Sequence, residues 1–218
     1  MHSETKVIET PLFVTPEQYF MLEERVEVKL EYVNGKVIPK EGDTPLPDWV
    51  VRQLLKPNFD RQTLNFEFPM ATPQRNKLVA QLHGELYLLV RTQGLEVNVY
   101  SQGIQVMVSL GGKYRIPDVL LAPTSEEEHF EKQMLTNPIA IFEVLSETTA
   151  QTDRTDKLEE YLNLPSLQEY FLVQQDAIRI ERYQRLAGER WEYATFQEGL
   201  LPIPSVGLQL EIQRIYKK

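Results

Sequence analysis

The chain has 218 residues, 42% of them apolar and 25% charged, with ten Tyr, nine Phe and two Trp, which is enough for a sizeable core and excludes wholesale disorder. The absence of cysteine excludes disulfides, thiolate metal sites and a cysteine nucleophile. A formal charge of −9, from 32 Asp and Glu against 23 Lys and Arg, weighs against broad charge-driven binding of nucleic acid but is compatible with a compact site where carboxylates hold a metal.

The N-terminal residues 1–13 lack the apolar centre of a secretory signal, and no apolar run reaches the roughly 20 residues of a bilayer span. A soluble, cytoplasmic protein of one domain over residues 1–218 is therefore expected. The first helix starts at Pro16. Thr15 is its N-cap, Pro16 takes the first helical position and Gln18 completes a capping box, with Tyr19, Phe20, Leu22 and Glu23 continuing it. Strand-like Lys29–Val33 and Lys36–Ile38 flank Asn34-Gly35, the pair that supplies the positive φ angles of a two-residue hairpin turn.

Six of the fourteen prolines fall in residues 39–73, which reads as a Pro-rich insertion with room for short elements only. From Gln74 to Gln93, Leu78, Val79, Leu82, Leu86, Leu89 and Val90 recur at helical spacing, and Gly94 is placed to end that helix. Three strands are expected next, Leu95–Tyr100, Ile104–Leu110 and Tyr114–Leu121, then an acidic surface loop at Glu126–Glu131. The unbroken apolar run Ile139–Leu145 reads as a central strand buried on both faces. A helix over Asp153–Leu164 with Leu158, Tyr161 and Leu162 inward precedes strand Glu169–Val173. The chain then closes with Ile178–Gln184, Trp191–Phe196 and Gly207–Ile212 as an antiparallel tail.

Glu143 stands out because it interrupts that apolar run, where an unpaired carboxylate would cost several kcal/mol. Strand alternation puts it on one face with Ile141 and Leu145, opposite Phe142 and Val144. A buried Arg or Lys partner, or a metal, would satisfy it. Asp118, behind Pro117 in another apolar run, is on its own a turn or cap residue. Together with Glu143 it forms a carboxylate pair able to converge on a divalent cation such as Mg²⁺. Lys157, on the helix after the Glu143 strand, either belongs to a solvated face or reaches back to the same place, with Tyr161 one turn on.

The segments Thr15–Glu24, Leu30-Glu-Tyr-Val-Asn-Gly-Lys-Val37, Ile116-Pro-Asp-Val119, Phe142-Glu-Val-Leu-Ser146, Asp153-Arg-Thr-Asp-Lys157 with Tyr161, and Glu169-Tyr-Phe-Leu-Val173 together resemble the Uma2 family, restriction-endonuclease-like proteins of bacteria, abundant in cyanobacteria, within the PD-(D/E)XK nuclease superfamily. The resemblance runs over about residues 15–183. It implies an α/β fold with a restriction endonuclease-like core, a mixed central β-sheet flanked by α-helices, with an N-terminal helix-hairpin and a C-terminal antiparallel extension. It also implies a metal-dependent endonuclease acting on DNA, with Asp118 and Glu143 as ligands of Mg²⁺ (or Mn²⁺). The superfamily lysine would stand two residues after the Glu, where this chain has Leu145, so that role passes to Lys157. Glu31 matches an early acidic position and either completes the site or is an exposed strand charge.

Two departures are visible. Arg75 replaces the His that the family carries at the start of its large helix, where it could contact phosphate, and residues 41–73 exceed the usual short link. The endonuclease reading is the expectation, and these departures with the acidic charge are what speak for the alternative, a catalytically inactive nuclease-fold binding or assembly module in which Lys157 neutralises Glu143. Double-strand cleavage would suit a homodimer, with the apolar tail strands as its interface. Ser109 and Ser146 lack a nucleophile-elbow context.

Overall fold

A computed structural model of the chain describes residues 12–110, 112–125, 129–130, 134–187 and 190–217. Its elements are α1 (Pro16–Glu23), β1 (Leu30–Val33), β2 (Lys36–Pro39), α2 (Asp48–Leu54), α3 (Pro73–Gln93), β3 (Val97–Ser101), β4 (Gln105–Ser109), β5 (Lys113–Arg115), β6 (Val119–Pro123), β7 (His129–Phe130), β8 (Met134–Leu135), β9 (Ala140–Leu145), α4 (Ala150–Arg154), α5 (Asp156–Leu162), β10 (Glu169–Gln174), β11 (Ile180–Arg185), β12 (Trp191–Phe196), β13 (Leu200–Ile203), β14 (Leu208–Glu211) and α6 (Ile212–Ile215).

Local chemistry explains the clearest boundaries. The Thr15 hydroxyl accepts from the Gln18 amide while the Gln18 side chain accepts from the Thr15 amide, the reciprocal capping box at the start of α1. Asn34 and Gly35 both take positive φ, 50° and 83°, which turns β1 into β2 with Leu30 opposite Pro39. Thr72 caps α3 and Gly94 ends it in the left-handed region.

Two six-stranded sheets share the chain. One has the order β2-β1-β5-β4-β8-β7, and the other β12-β11-β10-β9-β6-β3, in which β9 and β10 run parallel and every other neighbouring pair is antiparallel. The second is the mixed central sheet. Phe142, Val144, Phe171 and Val173 of its inner strands pack on α3, α6 and the β13–β14 hairpin. Ile141, Leu145, Tyr170 and Leu172 face Tyr161 of α5 and meet Val106 and Leu135 of the first sheet. The first sheet's own core joins α1, α2, β1 and β2 through Tyr19, Leu22, Leu30, Val50, Val51, Leu54 and Tyr114. Residues 39–73 thus contribute α2 and buried aliphatic side chains to that core.

Several boundaries differ from expectation. Tyr114–Leu121 is two strands in two sheets: Pro117 removes an amide donor, the ladder stops, and Ile116-Pro117-Asp118 carries the chain from β5 across to β6. The helix expected over Asp153–Leu164 begins at Ala150 and breaks at Thr155, whose φ of −118° and ψ of −86° are not helical. Its buried residues are Asp153, Lys157, Glu160 and Tyr161, with Leu158 and Leu162 only half-buried. Leu200–Ile203 forms a strand that was not expected, since Pro202 sits within it, and it pairs with β14 in a separate two-stranded sheet. Of the expected acidic loop, 126–128 and 131 lie outside the described residues, and His129–Phe130 forms a short strand.

Candidate active site

Where the chain crosses between the sheets, the side chains singled out in the sequence meet. Asp118 ends the β5–β6 crossover, Glu143 comes from the middle of β9, Lys157 from the first turn of α5 and Glu31 from β1. All are buried: Asp118 is 0% exposed, Glu143 1%, Glu31 2% and Lys157 3%. The reading of Glu31 as an exposed strand charge is therefore corrected, because β1 is covered on that face by α5 and the crossover.

Lys157 Nζ lies 3.0 Å from Asp153 Oδ1, 3.2 Å from Glu143 Oε1 and 3.6 Å from Glu31 Oε1. The Tyr161 hydroxyl donates to the same Glu143 oxygen at 3.1 Å. Spacing of four residues puts Lys157 and Tyr161 on one face of α5, with Glu160 beside them, and Asp153 meets Lys157 from α4 across the break at Thr155. Glu31 accepts from Arg115 Nη1 at 2.9 Å and from the Ile116 amide at 3.0 Å, and Arg115 grips Glu160 through Nε and Nη2 at 2.7 and 3.0 Å.

Two cations that do not belong to the expected set complete the cluster. Arg75 Nη2 donates to both Asp118 oxygens at 2.7 and 2.8 Å, its Nε donates to the Val144 carbonyl, and its Nη1 holds Glu41. The expected contact of Arg75 with phosphate is thereby corrected: the guanidinium is turned inward and saturated. Lys40 Nζ stands 2.9 Å from Asp118 Oδ1 and 3.8 Å from Glu143 Oε2, and also donates to the Ile116 carbonyl. The Val144 amide donates to the remaining Asp118 oxygen at 2.7 Å.

The result is an alternating network of Glu41, Arg75, Asp118, Lys40, Glu143, Lys157, Asp153, Glu31, Arg115, Glu160 and Lys113. It has one more carboxylate than cation. Burial pushes the Glu143 carboxyl up to about 7 against the pull of Lys157 and Lys40. Burial also disfavours ionised Glu31, but Lys157, Arg115 and Lys40 outweigh it and bring that carboxyl down to about 2. For Asp118 the same contest is won by Lys40 and Arg75, which lower its pKa. Burial opposes charge on Lys157, yet Asp153, Glu143 and Glu31 hold it protonated.

Carboxylate and carbonyl oxygens are the ligand type that Mg²⁺ and Mn²⁺ take. Here each Asp118 oxygen already receives at least two donors, and one ammonium contacts both Asp118 and Glu143. Among the described residues no group of three or more His, Asp or Glu is disposed to hold a metal ion. The residues as placed do not fit a resident divalent cation. The carboxylates and the cations on them are all closed to solvent, with Lys40 3% and Arg75 2% exposed.

Sequence reasoning missed Lys40, Glu41, Lys113, Arg115, Asp153 and Glu160. Glu160 was recoverable, since Asp153, Lys157, Glu160 and Tyr161 fall at the spacing of one helix face. His83 is half-buried on α3 and stacks on Tyr87, apart from this cluster.

The family model Uma2, described as "Putative restriction endonuclease", matches residues 63–214. The chain is 27% identical over 186 residues to the uncharacterized protein sll1609 of Synechocystis sp., covering 85% of this chain and 88% of that protein. It is 22% identical over 205 residues to slr1290 of the same organism, also uncharacterized, covering 94% and 92%. A crystal structure titled as "a putative nuclease belonging to DUF820" from Anabaena variabilis ATCC 29413 superposes with a TM-score of 0.63 at 19% identity, over 93% of this chain and 97% of that one. That likeness shows the fold. Among the described residues no helix is long and apolar enough to cross a membrane.

Proposed function

Because the chain belongs to the Uma2 family, we propose that it is a nuclease-fold protein whose Asp118–Glu143 pair is kept as a closed, internally neutralised charge cluster, and that it works as a binding or assembly module without hydrolysing DNA. The carrying observation is the Lys40 ammonium, 2.9 Å from Asp118 and 3.8 Å from Glu143, the two carboxylates that would hold a metal. Arg75 supports the same reading by occupying both oxygens of Asp118. The test is plasmid DNA incubated with Mg²⁺ or Mn²⁺ and wild type, Asp118→Ala or Glu143→Ala. No nicking by any of the three is expected. Metal-dependent cleavage by wild type that disappears in both variants would overturn the reading.

One observation favours a second reading. Asp118, Glu143 and Lys157, chosen from sequence alone, converge on one place, with Lys157 Nζ 3.2 Å from Glu143. In that reading the chain is a cytoplasmic Mg²⁺- or Mn²⁺-dependent endonuclease that hydrolyses DNA phosphodiester bonds as a homodimer of single-domain chains. Asp118 and Glu143 are its metal ligands, with Lys157 and Glu31 beside them. The plasmid assay decides between the two.

A further inference from the structure

We infer that Lys40 is a tethered counterion standing where a divalent cation would sit, so that the cluster is a latent metal site which the chain closes from within. The inference rests on the internally neutralised reading above and goes beyond it by assigning the closure to one side chain.

Three features carry it. The first is the identity of the atoms around the ammonium: an Asp118 carboxylate oxygen, a Glu143 carboxylate oxygen and the Ile116 backbone carbonyl. Two carboxylates and a carbonyl are hard oxygen donors of the kind Mg²⁺ and Mn²⁺ take, and they come from two separate places, the β5–β6 crossover at Ile116 and Asp118 and the interior of β9. The oxygens that surround the ammonium are of the type a divalent cation would take once the ammonium is gone.

The second is how Lys40 is delivered. It directly follows β2, its amide donates to the Lys29 carbonyl at 2.9 Å, and the Asn34-Gly35 turn fixes the register that places it there. Backbone pairing on both sides of the hairpin therefore fixes where the side chain starts, and its ammonium donates to Asp118 Oδ1 and the Ile116 carbonyl while Glu143 Oε2 stands farther off at 3.8 Å. It is a built part of the core, not a surface side chain that has folded inward.

The third is selectivity within the cluster. The other cations are accounted for by other anions: Lys157 by Asp153 and Glu31 as well as Glu143, Arg115 by Glu31 and Glu160, and Arg75 by Glu41 as well as Asp118. Among the cations of the described residues, Lys40 alone pairs with both Asp118 and Glu143. Its removal leaves those two carboxylates facing one vacated volume, while the surrounding ion pairs remain.

The experiment uses the full chain and Mn²⁺ as probe, comparing wild type, Lys40→Ala and Lys40→Ala/Glu143→Gln by titration calorimetry and by thermal unfolding with and without Mn²⁺. Lys40→Ala is expected to bind one Mn²⁺ per chain at least about tenfold more tightly than wild type, and to be the only one of the three that Mn²⁺ stabilises. If Lys40→Ala does not fold in metal-free buffer, it is refolded from denaturant with and without Mn²⁺, and recovery of native fluorescence with Mn²⁺ alone is the expected result. Absence of both binding and rescue, or wild type binding Mn²⁺ as tightly as Lys40→Ala, overturns the inference. Failure of the underlying reading looks different: it is wild-type DNA cleavage, scored separately on plasmid. A wild type that neither cleaves nor binds metal, beside a Lys40→Ala chain that stays inert to Mn²⁺, sinks the inference and leaves the reading standing.

Discussion

Arg75 Nη2 holds both oxygens of Asp118, at 2.7 and 2.8 Å, while Nη1 of the same guanidinium holds Glu41. An α3 side chain is thereby locked to the β5–β6 crossover, so this ion pair fastens the main helix to the link between the sheets. Removing one member of a buried pair costs up to about 3–5 kcal/mol, and without Arg75 the Asp118 carboxylate keeps only Lys40 and the Val144 amide. Arg75→Ala is expected to lose stability in that range in urea unfolding. Arg75→Ala/Asp118→Ala should lose less than the two single changes added together, because the shared ion pair is then lost once and not twice.

Arg115 gives an ordering of effects. Its guanidinium serves two buried carboxylates, Glu31 and Glu160, and Lys113 also reaches Glu160 at 2.9 Å. Arg115→Met should therefore be the more damaging change, about 3–5 kcal/mol, since Glu31 is left with Lys157 at 3.6 Å as its nearest remaining cation. Glu160→Gln should cost about 1–3 kcal/mol, because Arg115 keeps Glu31. Equal losses in denaturant melts would contradict the assignment of Arg115 as a shared partner.

Most of the scaffold was legible because its signals are local. The Thr15 capping box, the Asn34-Gly35 turn, the α3 stripe ended by Gly94 and the apolar run of β9 each depend on residues a few positions apart, and each formed as read. What was not legible depends on partners distant in sequence. Pro117 announces an interruption, but nothing local says that the strands before and after it join different sheets. The break at Thr155 has neither Gly nor Pro to mark it. In the site, Asp118 and Glu143 showed themselves as charges in apolar surroundings. Lys40 and Glu41 lie in a Pro-rich stretch, where charge reads as surface. The burial of Lys40 and the pairing of Glu41 are decided by Asp118 and Arg75, which no pattern within residues 39–73 foretells.

The cluster predicts opposite pH effects from two of its carboxylates. Glu143 is raised from 4.5 to about 7 in the folded chain, chiefly by burial, so between those values the folded protein holds a proton the unfolded chain has lost. Stability from this group is present below about pH 4.5 and declines as pH rises to about 7, by up to about 3 kcal/mol. Glu31 is lowered to about 2 because Lys157 and Arg115 outweigh its burial, so its contribution is present above about pH 4.5 and is lost as pH falls toward 2. Chemical denaturation across this range should show Glu143→Gln removing the decline on the neutral side and Glu31→Gln removing that on the acid side. A Glu143→Gln profile parallel to wild type between pH 4.5 and 7 would show that Glu143 is already ionised there.

The cap of α3 separates helix stability from the state of the cluster. The Thr72 hydroxyl accepts from the Arg75 amide at 3.1 Å, one of the donors that the first turn of the helix leaves without an intrahelical partner. Thr72→Ala is expected to cost about 1 kcal/mol, and Thr72→Gly only a few tenths. Thr15→Ala, at the exposed capping box of α1, should cost a similar amount, since the lost bond is of the same kind. If the Arg75 guanidinium is held by Asp118, Glu41 and Val144 independently of its own amide, the pH profile of Thr72→Ala will be displaced downward without changing shape. A changed slope between pH 4.5 and 7 would instead show that the cap helps to position Arg75 against Asp118, making the first turn of α3 part of the cluster's electrostatics.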